Sequence, residues 1–167
     1  DLPQFDKLYK LKSAAIAAYP MYKGIARLLG MKVLDGCETI KDEFELLKAN
    51  FRNHDFFFVH FKKTDSAGED GDFERKVKAI EELDGYIPQL VDLKPDVIVV
   101  TGDHSTPSVL KSHSWHPVPF LMYSKFCRHD DVSTFSESAC SKGLLGVFPA
   151  VNIMPLVLAN GLRLKKF

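Results

Sequence analysis

A chain of 167 residues is long enough for one domain with its own core, and 46% hydrophobic residues against 26% charged ones describe an ordinary globular protein. Lys plus Arg equals Asp plus Glu at 22 each, so no global basic field is available to hold nucleic acid, although a local pocket for a small anion is compatible with this balance. No apolar run approaches the ~20 residues that span a bilayer, and the start lacks the basic-then-apolar order of a secretory leader, so neither nucleic acid nor membrane is an expected partner.

The elements alternate in type along the chain. Ser13–Ala17 reads as a short strand, and Pro20–Leu29 as a helix opened by proline and closed by Gly30. Met31–Leu34 follows as a strand. Lys41–Asn50 reads as a charged helix, with Ile40, Phe44 and Leu47 at helical spacing. Asp55–Phe61 is a buried strand. Asp72–Leu90 is a long amphipathic helix carrying Phe73, Val77, Ile80, Leu83 and Ile87 on one face, with Asp72 as its cap. Asp96–Val100 and Phe120–Tyr123 are further strands, and Ser138–Gly143 and Asn152–Leu162 close the chain as helices. Such alternation predicts a single α/β domain over residues 1–167, its mostly parallel sheet covered by helices on both faces.

Three polar clusters follow strand-like segments. Asp65-Ser66-Ala67-Gly68-Glu69-Asp70 comes after Asp55–Phe61, and Thr101-Gly102-Asp103-His104-Ser105-Thr106-Pro107 after Asp96–Val100. His113-Ser114-Trp115-His116-Pro117-Val118-Pro119 lies nine residues beyond His104. In open α/β sheets ligands bind beyond the carboxyl ends of the strands, so the topology gathers these groups at one edge. Asp65 and Glu69 are four apart, a spacing that turns both carboxylates toward one point in a helical turn or tight loop. A divalent metal needs oxygen and nitrogen donors converging from separate loops, and these clusters supply them. His60, inside an apolar strand, reads as a core histidine or one set behind the ligands. Cys37, Cys127 and Cys140 form no CxxC pair and read as free thiols of a reducing compartment, the cytoplasm.

The three clusters, together with Tyr22-Lys23-Gly24-Ile25-Ala26-Arg27, Cys140-Ser141-Lys142-Gly143-Leu144-Leu145-Gly146 and Asn152-Ile153-Met154-Pro155-Leu156, resemble the cofactor-independent phosphoglycerate mutases of the archaeal type, in the alkaline phosphatase superfamily. The resemblance runs through nearly the whole chain. It implies an alkaline-phosphatase-like fold and two divalent metal ions, manganese or magnesium, with cobalt or zinc as further options. It further implies one metal site from Asp65, Glu69 and His113, a second including Asp103 and His104, and Lys23 beside the substrate phosphate. Many members carry histidine where this chain has Glu69. Glutamate also binds hard cations, and Asp70 is a candidate substitute.

The family's N-terminal aspartate ligand and nucleophilic serine have no counterpart here. Ser66, Ser105 and Ser114 have no support in that role, and the chain does not begin with Met. The expectation is therefore the C-terminal part of a longer enzyme, one that interconverts 3-phosphoglycerate and 2-phosphoglycerate through a phosphoserine. A metal-dependent phosphatase or phosphoester hydrolase of the same superfamily and a non-catalytic metal-binding domain are the alternatives.

Overall fold

The computed structural model describes residues 2–164. Strand β1 (Ser13–Ala17) is buried along all five residues, as its run of small and apolar side chains requires. It pairs in parallel with β2 (Lys32–Val33) on one side and β3 (Phe56–His60) on the other, giving a three-stranded sheet in the order β2-β1-β3. Neighbouring residues of a strand face opposite sides, and β1 shows it. Ala15 packs with Ala26 of helix α2 (Pro20–Leu28), Met31 and Phe5. Ile16 packs with Cys37, Leu90 and Leu47 of helix α3 (Ile40–Asn50). Helices thus cover both faces.

Local chemistry sets the helix ends. Pro20 opens α2, where its missing N–H costs nothing. Thr39 and Asp42 form a capping box at the start of α3, each side chain bonding the other's backbone N–H. Helix α1 (Phe5–Tyr9), which the sequence does not announce, carries Asp6, whose carboxylate accepts hydrogen bonds from the Ser13 backbone N–H at 3.0 Å and from its hydroxyl.

The polar stretch after β3 forms helix α4 (Lys63–Glu69), so Asp65 and Glu69 do share a helical turn. The long helix expected from Asp72 to Leu90 is two: α5 (Phe73–Asp84) and α6 (Ile87–Asp92). The chain turns at Gly85-Tyr86, and Pro88 starts α6 with no N–H to offer a preceding turn.

Strand β4 (Val97–Thr101) does not join the parallel sheet. It pairs antiparallel with β5 (Phe120–Ser124) in a separate ribbon, Val97 opposite Ser124 and Thr101 opposite Phe120. A parallel return needs a covering crossover, usually helical, and residues 102–119, with Pro107, Pro117 and Pro119, supply only a loop. Short α7 (Glu137–Cys140) and α8 (Ile153–Asn160) follow, and the Ser124 hydroxyl donates to Asn160 Oδ1 at 3.2 Å, fixing the ribbon to α8.

Candidate metal centre

Asp65 sits in the first turn of α4, just past β3, while His104 leaves the end of β4 and His113 lies on the loop leading back to β5. An isolated β-bridge between Ser105 and Ser114, with the Ser114 N–H on the Ser105 carbonyl at 2.9 Å, ties the two ends of that loop together. The rings of His104 and His113 consequently lie 3.9 Å apart between centroids.

Ligand atoms of Asp65, His104 and His113 all fall within 4.8 Å of one another. Asp65 Oδ1 is 3.8 Å from His104 Nδ1 and 3.7 Å from His113 Nε2. Glu69 Oε1 lies 3.7 Å from His113 Nε2 at one end, and Asp103 Oδ2 lies 3.6 Å from His104 Nε2 at the other. The donors therefore run in a row, Glu69-His113-Asp65-His104-Asp103. His104 faces Asp65 with one ring nitrogen and Asp103 with the other. One carboxylate and two imidazoles around a common point suit a divalent transition-metal ion, and flanking carboxylates suit manganese or magnesium. Three carboxylates in the row also make the site one that favours a cation before any anion.

The surroundings hold these groups in place. Thr106, nearly fully buried, donates its hydroxyl to Asp65 Oδ1 and lies 3.0 Å from His104 Nδ1. Lys62 is hydrogen-bonded to the other oxygen, Oδ2. Burial pushes the Asp65 carboxyl up, but the hydrogen bonds of Lys62 and Thr106 outweigh it and keep the group below the usual carboxylate range. Burial also raises Asp103, and there the hydrogen bond from the Tyr22 hydroxyl and the proximity of His104 reverse the effect. Burial and the bond to Asp103 push the Tyr22 phenol above its ordinary value. Tyr22 stacks on His60 at 3.6 Å between ring centroids, and burial lowers the His60 imidazole. His60 thus stands behind the ligands, as its apolar strand suggests.

Gly68 is required by the approach of α4 to the 104–106 segment, because a Cβ there would overlap the Thr106 carbonyl oxygen. Lys76 of α5 donates to that same carbonyl at 2.6 Å.

Five of the six residues singled out in the sequence, Asp65, Glu69, Asp103, His104 and His113, thus come together. Lys23 does not. Its Nζ pairs with Asp35 Oδ1 at 3.2 Å, beside Arg27 on the same carboxylate. Asp70 pairs with Arg75, and Glu69 is the carboxylate that reaches His113. His116 is occupied by its own loop, with Nδ1 2.9 Å from the Ser114 hydroxyl and its carbonyl accepting from Ser105 at 3.1 Å. Sequence reasoning missed Lys62, Thr106 and Tyr22. For Lys62 a signal existed, since Lys and Asp three apart at a helix start face each other.

The profile of the metalloenzyme superfamily matches residues 1–160. The chain belongs to the metalloenzyme superfamily. This metalloenzyme chain is 55% identical over 167 residues to a probable 2,3-bisphosphoglycerate-independent phosphoglycerate mutase of Thermosipho melanesiensis, covering 100% of itself and 42% of that relative. Among solved structures, a Pyrococcus horikoshii protein is 35% identical with a TM-score of 0.89, over 100% of this chain and 54% of that one. The cofactor-independent phosphoglycerate mutase of Thermoplasma acidophilum is 26% identical with a TM-score of 0.77, over 96% of this chain and 39% of that one. The chain thus spans less than half the length of the curated relatives it matches. Both solved structures support the α/β architecture, and the superfamily, with a triad of residues able to hold an ion, supports dependence on divalent metal.

Proposed function

We propose that the protein supplies the metal-binding part of a phosphoglycerate mutase that interconverts 3-phosphoglycerate and 2-phosphoglycerate through a phosphoserine intermediate. One observation carries the reading: Asp65, His104 and His113 converge within 4.8 Å in a chain more than half identical to proteins named as such mutases. In this proposal the nucleophilic serine belongs to a segment outside these 167 residues, and the 167 residues are one α/β domain of the longer enzyme.

In this reading Asp65, Glu69 and His113 would hold one cation, and Asp103 with His104 would hold part of a second site. A divalent ion bound there would lower the pKa of the attacking hydroxyl and neutralise charge on the transferred phosphoryl oxygens. The chain's own groups prepare for this. Thr106 turns Asp65 Oδ1 toward the histidines, Lys62 engages only the other oxygen, Oδ2, and Tyr22 fixes Asp103 opposite His104. Three free cysteines agree with a cytoplasmic, glycolytic setting, and among the described residues no helix is long and apolar enough to cross a membrane.

The test is an assay of the polypeptide that carries this chain, with 3-phosphoglycerate and Mn2+. Formation of 2-phosphoglycerate is expected. Release of inorganic phosphate without 2-phosphoglycerate would replace the mutase by a phosphatase.

A further inference from the structure

Lys23, the lysine that the family resemblance sets beside the substrate phosphate, is engaged by Asp35 at 3.2 Å. A different lysine stands at the metal cluster. Lys62 lies between β3 and α4, three residues before Asp65, and its Nζ is hydrogen-bonded to Asp65 Oδ2. The two oxygens of Asp65 divide their work. Oδ1 faces His104 Nδ1 at 3.8 Å and His113 Nε2 at 3.7 Å, while Oδ2 faces Lys62. A cation taken through Oδ1 therefore leaves the ammonium where it is.

The Lys62 ammonium is fixed without being sealed. Its Nζ lies 5.0 Å from the centroid of the Tyr19 ring, and its side chain remains 28% exposed. An ammonium has three donors, and Asp65 accepts one of them.

We infer that Lys62 binds the anionic group of the substrate, donating to a phosphoryl oxygen of a molecule that also contacts the cation held by Asp65, Glu69 and His113. The nature of that anion, a phosphate monoester, rests on the mutase reading; the position of the ammonium does not. Asp65, Glu69 and Asp103 repel a dianionic ester until a cation is in place, and Lys62 offsets that repulsion on the open side of Asp65. A compact ammonium is well suited to a single phosphoryl oxygen at this point. Lys23, with Arg27, instead fastens α2 to Asp35.

The test uses Lys62→Met and Lys62→Arg, with two calorimetric titrations of each: Mn2+ into the metal-free protein, and inorganic phosphate into the Mn2+-loaded protein. Removing a positive charge beside the metal should leave Mn2+ affinity unchanged or tighter in Lys62→Met, while phosphate affinity falls about tenfold or more. Lys62→Arg should recover most of the phosphate affinity. A lysine that merely held Asp65 in place would show the opposite pattern, with Mn2+ binding weakened and phosphate binding weakened only in proportion.

That pattern, or an unchanged phosphate affinity in Lys62→Met, overturns the assignment. The outcome separates from the mutase reading. A parent polypeptide that forms 2-phosphoglycerate while Lys62→Met binds phosphate normally keeps the mutase and loses the assignment. One that yields only inorganic phosphate, with phosphate affinity lost in Lys62→Met, does the reverse.

Discussion

Thr106 fixes the Asp65 oxygen that faces the two histidines. Its hydroxyl bonds the oxygen that faces both histidines, and its carbonyl is held by Lys76 at 2.6 Å, so the side chain has little freedom to turn. Groups that orient a ligand in this way typically contribute about 10–100-fold to metal affinity. Thr106→Val, nearly the same in shape, should weaken Mn2+ binding by about that factor in calorimetry, whereas Asp65→Asn and His113→Ala should abolish the tight site. Glu43 makes a separate residue-scale prediction. It is 2% exposed, its Oε2 has no hydrogen-bond partner, and burial, opposed by the Ala18 backbone N–H, lifts its carboxyl to about 7. Because the folded pKa exceeds the unfolded one, the folded state holds the extra proton, and stability falls as pH rises from about 4.5 to about 7. Glu43→Gln should remove this slope. Urea unfolding in EDTA at about pH 4 and pH 8 should show the variant gaining about 3 kcal/mol on the wild type between them.

At the scale of elements, Gly68 sets how closely α4 approaches the 104–106 segment. Gly68→Ala must push the helix off the Thr106 carbonyl, and with it Asp65 away from His104. The expected cost is about 1–3 kcal/mol of stability, read as a lower Tm, together with weaker Mn2+ binding. A variant that binds Mn2+ like the wild type would show that this close approach does not set the cluster. The strands and most of the helices were legible as patterns: an apolar run for β1, 3.6-residue spacing for α3, a capping aspartate for α5. Pairing direction was not legible, because an apolar run such as Val97–Val100 marks burial and says nothing of its partner. The break between α5 and α6 was masked because Ile87 continues the apolar spacing across Gly85-Tyr86.

Across the whole molecule, the Asp65-His104-His113 cluster joins two units that share no strand. Asp65 and Glu69 follow the parallel sheet, whereas Asp103, His104 and His113 belong to the antiparallel ribbon and its loop. A cation bound by both is a cross-link present only in the folded state. At one hundred times its Kd such a ligand adds about 2.7 kcal/mol. For a domain of this size that raises Tm by about 5–10 °C. Mn2+ should produce this shift by calorimetric scanning, EDTA should reverse it, and Asp65→Asn should show none. The histidine and aspartate donors were legible in the sequence because metal ligation uses few residue types in clusters. Lys62, Tyr22 and Thr106 act through contacts made by folding, and a lone lysine, tyrosine or threonine carries no pattern that distinguishes it from its many neighbours.

The Ser105–Ser114 bridge bears on how such sites vary. It pins both ends of the 106–113 segment, so beyond Thr106 the residues between the two histidines contribute little to where their rings stand. Insertions or deletions around Val109-Leu110, both exposed, should leave the imidazole pair intact provided the bridge still closes. For this centre, the distance between the histidines along the chain is free to drift, while the pairing of two serines is not.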